Sequence, residues 1–287
     1  MSNMKILIIT PACNEERNLP LLIKSVVNQS FLPLEWIIVD DGSKDNTSNV
    51  IQKAAVKYSW IKYLRKEKFN VRSPGKSVME AFYFGYNYKS SKQYDIVMKL
   101  DADLVLPFNY LENIVSEFKI NSKVGICGGI CVLKNKSQFY IERATNLDHV
   151  RGAIKAYRRQ CFNSIGGLIK NMGWDTVDEH HARFNGWDVI VKPELQVIHQ
   201  RPTHKEFGYL RAAFRNGQML YTIRMDLILL MGNCMKLLIK SPYLLLSLSM
   251  FFGFFSAFFR RKNFIVSKDL GRFIRKYRYK MLLKKII

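Results

Sequence analysis

This 287-residue chain is short of acidic residues relative to basic ones and has no patterned cysteines. Its five cysteines, Cys13, Cys127, Cys131, Cys161 and Cys234, are odd in number, scattered and without a Cys-x-x-Cys pair. That excludes a disulfide framework or a structural zinc site as the organising principle and fits a reducing compartment. No secretory leader is legible either. Met1 to Lys5 runs directly into Ile6-Leu-Ile-Ile9, too short for an apolar signal core, so this part of the chain is expected in the cytoplasm. Helix-turn-helix, zinc-finger and RNA-recognition motifs are all missing, which argues against the competing reading as a nucleic-acid-binding protein. Disorder is excluded by a hydrophobic content of 48%, ample for the core of one large α/β domain with an appendage.

What is abundant is positive charge. Lys+Arg number 45 against 23 Asp+Glu, a net +22, which predicts attraction to an anionic partner. From Arg260 onward eleven bases face a single acid, Asp269, so the excess concentrates at the end of the chain.

The first half alternates strand and helix signals. Lys5 to Thr10 is a continuous apolar run of the kind buried on both faces of a parallel sheet, stopped by Pro11. Leu19, Leu22, Ile23, Val26 and Val27 recur at helical spacing, and Trp36-Ile-Ile-Val-Asp40 is a second strand. A helix over Val50 to Tyr58, a strand at Ile61 to Leu64, a basic loop from Arg65 to Lys76 and a helix through Val78, Phe82 and Tyr86 follow. The run Tyr94-Asp-Ile-Val-Met-Lys-Leu100 is the fourth strand; a helix started by Pro107 and a strand over Val124 to Leu133 complete the pattern. The alternation predicts a doubly wound α/β sheet, with ligands at the carboxyl ends of its strands.

Three of those ends carry acids: Glu15 after the first strand, Asp40-Asp41 after the second, and Asp101-Ala102-Asp103 after the fourth. Two carboxylates one residue apart repel unless a cation sits between them. Hard divalent ions take oxygen ligands, several of them from substrate phosphates and water, so the pair suits a metal–diphosphate site. Beyond Ala153 the pattern is less regular. Acids and histidines return at Asp175, Asp178, Glu179, His180 and His181, where a general base and a capped, solvated helix start are both compatible with the sequence. His199 closes an alternating strand, either as an edge histidine or as a third metal ligand. His149, His180 and His181 read as surface or packing residues.

Taken in order, Thr10-Pro-Ala-Cys-Asn-Glu-Glu16, Val39-Asp-Asp-Gly-Ser43 with Asp45 and Thr47, Asp101-Ala-Asp103, Gly166-Gly167 before Trp174-Asp175, and His199-Gln-Arg201 resemble the family 2 glycosyltransferases of GT-A fold. The match runs from about Lys5 to Arg201. The resemblance implies a Rossmann-like, mostly parallel central sheet flanked by helices, and inverting transfer from a nucleotide-diphosphate sugar. It implies that Pro11, Ala12, Glu15 and Asp41 line the nucleotide, with Gly75-Lys76 as a looser match to a loop that helps hold it. Asp101 with Ala102 would face ribose or diphosphate. Asp103, with Asp101 and His199, would hold Mn²⁺ or Mg²⁺. Asp175 falls in the general-base position, with Asp178 and Glu179 as rivals. The acceptor would be a glycan or lipid-linked hydroxyl; transfer to a polyprenyl phosphate is the alternative.

After Arg201 the composition shifts. Tyr243 to Phe259 is strongly apolar and flanked by Lys240 and Arg260-Arg-Lys262. A spanning helix wants about 20 apolar residues, and bases on both sides give no positive-inside asymmetry. An interfacial or re-entrant helix at the cytoplasmic face of a membrane is therefore expected, with the basic tail drawn to anionic lipid. The reading divides the chain into a catalytic domain over 1–205 and a helical, membrane-associated region over 206–287.

Overall fold

The structure, a computed structural model, describes residues 4–67, 75–90, 92–135, 138–142, 147–201, 208–238 and 243–284. Most of the basic loop expected between Arg65 and Lys76, including Pro74, lies outside the described residues. The chain forms two units, Met1–Pro202 and Thr203–Ile287.

In the first unit the strands are β1 (Ile6–Ala12), β2 (Glu35–Asp40), β3 (Ile61–Arg65), β4 (Ile96–Leu100), β5 (Leu104–Val105), β6 (Val124–Asn135), β7 (Gln138–Ile141), β8 (Ile154–Arg158) and β9 (Asp188–His199). The helices are α1 (Leu19–Val27), α2 (Thr47–Lys57), α3 (Lys76–Asn87), α4 (Tyr110–Ile120), α5 (Arg159–Ser164) and α6 (Trp174–Phe184). All strands join one sheet in the order β3-β2-β1-β4-β8-β6-β9-β5, with β7 paired to β6.

Side-chain alternation along the strands divides the core between the two faces. Ile6, Ile8, Trp36, Ile38 and Met98 point to the face covered by α1, α2 and α4. Leu7, Ile9, Ile37, Val39 and Val97 point to the face covered by α3, α5 and α6. Each such fully buried side chain contributes about 1.5–3 kcal/mol relative to exposure. Strands buried on both faces explain the unbroken apolar runs.

Three expectations need correction. The sheet is mixed: β3-β2-β1-β4 and the β6–β9 pair are parallel, but β8 runs antiparallel to both β4 and β6, as do β7 to β6 and β5 to β9. Pro11 does not stop β1, which continues through Ala12 in register with Asp40. The carbonyls of Ile6 and Ala12 face the β2 side, accepting from Leu34 and Asp41. Pro11 therefore turns its missing N–H toward β4, whose pairing with β1 has already ended at Ile9. Finally, the irregular stretch after Ala153 holds β8, α5 and α6, and the strand that His199 closes begins at Asp188.

The second unit is helical: α7 (Tyr209–Thr222), α8 (Leu227–Leu237), α9 (Tyr243–Phe259) and α10 (Lys268–Leu283). Antiparallel α7 and α9 cross at contact distance. A Cβ on Gly217 would lie 1.9 Å from the Met250 carbonyl oxygen, and one on Gly253 would lie 2.0 Å from that of Phe214. Among the described residues no helix is long and apolar enough to cross a membrane.

Candidate active site

The carboxyl ends of β1 and β2 are laced together by their loops. Asn14, held in a left-handed conformation (φ 57°), donates its N–H to the Ser43 hydroxyl at 2.9 Å, and its Oδ1 accepts from the Lys44 N–H at 2.9 Å. The Glu15 N–H donates to the Thr47 hydroxyl at 2.7 Å, and the Asp41 N–H to the Ala12 carbonyl at 2.8 Å. Pro11, Ala12, Glu15 and Asp41 are thereby gathered on one rim. Burial pushes the Glu15 carboxyl up, against the opposing pull of Asn18 and Arg201. Asp41 pairs with Lys66 at 2.9 Å. Gly75, at φ 76°, starts α3, where a Cβ would lie 2.8 Å from the Asn171 carbonyl oxygen; Lys76 reaches Glu80 at 3.9 Å.

At the end of β4 the two aspartates part company. Asp101 is partly open, with 31% of its side chain exposed, and is held by Lys99; its N–H donates to the Ala153 carbonyl at 2.9 Å, beside Ala102. Asp103 is buried and faces His199 Nε2 at 3.3 Å and Arg201 Nε at 3.1 Å. The pairing of Leu104 with His199 in the β5–β9 ladder sets that approach. His199 Nδ1 meets Glu142 Oε2 at 3.0 Å, and Arg151 holds the same Glu142 oxygen at 3.3 Å. Burial alone would lower the His199 pKa, but hydrogen bonds to Asp103 and Glu142 outweigh it and push it up to about 9. Burial likewise works to raise Asp103, yet His199 and Arg201 hold its carboxyl below the ordinary value. Arg201 also reaches Glu15, tying the β1 rim to Asp103.

This donor set fits a divalent cation in part. Asp103 offers a carboxylate and His199 an imidazole whose far nitrogen is oriented by a carboxylate, the arrangement that fixes a metal-binding histidine. Among the described residues no three His, Cys, Asp or Glu side chains cluster as a ready-made metal cage, and Asp101 turns to Lys99 instead of joining Asp103 and His199. A cation here would take its remaining ligands from phosphate and water, as Mg²⁺ commonly does.

The third group comes from α6. Gly173, in the left-handed region at φ 80°, opens the helix; Trp174 and Asp175 follow it into the first turn. Both pack on Gly152, where a Cβ would lie 2.8 Å from the Trp174 ring and 3.0 Å from Asp175 Cβ. Asp175 keeps 34% of its side chain exposed, against 1% for Asp178 and 3% for Glu179. The two buried acids are consumed by their neighbours. Asp178 is held by Lys155 Nζ at 3.0 and 3.1 Å and by the Tyr157 hydroxyl. Glu179 accepts from the Val150 N–H at 2.8 Å and meets Lys155 at 3.0 Å and His149 Nδ1 at 3.1 Å. Access separates the three: the oxygens of Asp178 and Glu179 are engaged because the helix points them inward onto Lys155, whereas Asp175 stays partly open.

His149 is no bystander, since its Nε2 also lies 3.8 Å from Asp175. His180 is buried as expected of a packing residue. The sequence reading did not single out Lys99, Glu142, Arg151 or Lys155, and assigned no role to Arg201. A buried lysine within a strand is the one signal that pointed to distant acids. The buried thiols of Cys127, Cys131 and Cys161 are each pushed up to about 12 by burial, which leaves them without nucleophilic character.

With this geometry in place, the comparisons fall into line. The family model for glycosyl transferase family 2 matches residues 7–174, and the chain belongs to that family. It is 34% identical over 118 residues to a 4,4'-diaponeurosporenoate glycosyltransferase of Staphylococcus haemolyticus, covering 41% of this chain and 29% of that protein. It is 27% identical over 179 residues to a poly-beta-1,6-N-acetyl-D-glucosamine synthase of Staphylococcus epidermidis, covering 58% and 41%. The chain therefore matches well under half the length of these relatives. In fold it is similar to the mannosyltransferase PcManGT from Pyrobaculum calidifontis in complex with GDP-Man and Mn²⁺, with a TM-score of 0.59 at 17% identity over 97% of this chain and 80% of that one.

Proposed function

We propose that this chain is an inverting glycosyltransferase that moves a sugar from a nucleotide-diphosphate sugar to a hydroxyl acceptor, a lipid-linked or cell-surface glycan precursor, at the cytoplasmic face of a membrane. One observation carries the reading. The turn at Gly152-Ala153 joins the two halves of the reaction: Ala153 holds the backbone of Asp101, and Gly152 seats Asp175.

In this reading Pro11, Ala12, Glu15 and Asp41 receive the nucleotide on the β1–β2 rim, and Asp101 with Ala102 meets ribose or diphosphate. Asp103 and His199 would hold the divalent cation, Mn²⁺ or Mg²⁺, which would supply charge stabilisation for the departing diphosphate. That a structural neighbour is a complex with GDP-Man and Mn²⁺ supports a divalent cation as cofactor. Asp175, open to solvent and flanked by His149, takes the proton from the acceptor hydroxyl. One displacement inverts the anomeric centre.

The test is a screen of UDP- and GDP-sugars with Mn²⁺ or Mg²⁺, followed by NMR of the transferred product. Inversion is expected, and a retained anomer would sink the mechanism. Asp175→Asn should lower transfer about 10²–10⁴-fold, the usual contribution of a general base, while nucleotide binding survives. Transfer to a polyprenyl phosphate, whose acceptor is already an anion, needs no base; full activity of Asp175→Asn with such an acceptor would select that alternative.

A further inference from the structure

The helical unit contains a cleft of about 580 Å³, within the roughly 300–1,000 Å³ range of small-ligand sites. Its aromatic lining is Phe254, Phe255 and Phe258 of α9, Tyr221 of α7, and Phe264. Its cationic lining is Arg224, which follows α7, and Lys268, Arg272 and Arg275, spaced to share one face of α10. The one acid in the lining, Asp226, is already committed. Its carboxylate caps α8 by accepting from the Leu229 N–H at 3.0 Å and accepts from the Tyr279 hydroxyl at 2.8 Å.

Arg224 is fixed in advance. It sits in the left-handed region at φ 62°, a strained conformation for an arginine, with its guanidinium 3.7 Å from the centroid of Phe264. Nε donates to the Val266 carbonyl at 3.0 Å, and Arg275 holds the Arg224 carbonyl at 2.6 Å. Gly271 leaves room for the side chain, since a Cβ there would lie 2.7 Å from Arg224 Cδ. Phe258 and Phe264 remain 51% and 43% exposed, and the neighbouring α8 presents Leu227, Ile228 and Met231 to solvent.

We propose that this cleft binds one anionic membrane lipid, its phosphate between Arg224 and the α10 bases and its hydrocarbon chain along the phenylalanines. Arginine matches phosphate through parallel charge-assisted hydrogen bonds, and a wall of four phenylalanines with the Tyr221 ring packed among them offers mainly hydrocarbon contact. The site rests on the reading of this unit as membrane-facing and is independent of the transfer chemistry.

Calorimetric titration of the full chain with decyl phosphate below its micelle concentration, with inorganic phosphate and with decanol tests it. Decyl phosphate should bind one to one, at least about tenfold tighter than either fragment, since both halves of the cleft contribute. Because Lys268 and Arg272 lie on the surface, Lys268→Gln with Arg272→Gln should keep the melting temperature and weaken decyl phosphate by about tenfold or more, as loss of charged hydrogen bonds does. Phe258→Ser should weaken decyl phosphate and leave inorganic phosphate unchanged. Equal affinity for phosphate and decyl phosphate, or no effect of the double substitution, overturns the site. Flotation with phosphatidylglycerol against phosphatidylcholine vesicles separates the source: failure of the unmodified chain to float overturns the membrane reading itself. Undiminished flotation of the double variant overturns the membrane lipid as occupant.

Discussion

Lys99 of β4 and Lys155 of β8 stand directly opposite each other in an antiparallel pair, both buried, and the ring of Trp174 lies over both ammonium groups at 5.3 and 5.8 Å. Two like charges at such a position are tolerated only because each has its own acids: Asp101 for Lys99, and Asp178 with Glu179 for Lys155. The pair thus ties the Asp101 end of the sheet to the helix that carries Asp175.

Removing one of these charges should be costly. Lys155→Met leaves Asp178 and Glu179 buried without their shared cation, a loss of about 3–5 kcal/mol by the usual penalty for breaking a buried ion pair. Urea denaturation monitored by far-UV circular dichroism should show a midpoint well below that of the unmodified chain. A midpoint unchanged within error would mean that the acids are neutral in the folded protein.

Acid stability follows from the same cluster. Burial works to raise Glu179, but Lys155, His149 and Arg183 outweigh it and depress its pKa to about 2, below the ordinary 4.5. A depressed folded pKa contributes stability that is present above about pH 4.5 and is lost as pH falls toward 2. Asp178, raised to about 6 by burial, works in the opposite direction, with a contribution present below about pH 4 and lost as pH rises through 6. The Glu179 share is isolated by comparison with Glu179→Gln. The stability gap between the two proteins should be wide at pH 7 and narrow steadily below pH 4.5; a gap constant from pH 7 to pH 3 contradicts it.

Glu142 is the residue whose effect should be least foreseeable from its position. It reaches the rim through His199 Nδ1, so Glu142→Gln should leave nucleotide binding intact. Metal affinity or metal-dependent turnover should fall about 10–100-fold, as for other partners of metal-binding histidines. Titration with Mn²⁺ followed by electron paramagnetic resonance reads the free ion directly. An unchanged Mn²⁺ affinity would remove His199 from the metal site.

What the sequence made legible were strands buried on both faces and the acids at their ends, because both follow from local pattern. Asp41, Asp101 and Asp103 follow the ends of β2 and β4, where that pattern puts them. β8 was not: Ile154-Lys-Ala-Tyr-Arg158 carries two bases in five residues, and a strand with buried charges looks irregular until its partners are known. Those partners are remote, Asp178 and Glu179 for Lys155 and the carbonyls of Phe118, Asn121 and Val124 for Arg158. Glu142 escaped notice for the same reason, since only the β6 backbone, through the Cys131 carbonyl, brings it to His199. Asp178 and Glu179 resembled Asp175 in sequence because helical phase, which separates inward from outward carboxylates, depends on where the helix packs.

The α7–α9 crossing gives the helical unit a test of its own. Gly217 and Gly253 each meet the partner helix's backbone at about 2 Å from where a Cβ would stand, three residues from Phe214 and Met250 on their own helices. Nothing at those distances is a flexible side-chain tip, so the helices must separate to admit even a methyl group. Gly253→Ala should therefore destabilise the unit by at least the roughly 1–3 kcal/mol typical of overpacking, despite the better helix propensity of alanine. Gly232 of α8, where an added Cβ meets nothing within 4 Å, is the control: Gly232→Ala should stabilise slightly, by up to about 1 kcal/mol. Hydrogen exchange of α7 and α9 amides distinguishes the two, with faster exchange expected for Gly253→Ala alone. Equal protection in both variants would mean that the helices do not cross at this distance in solution.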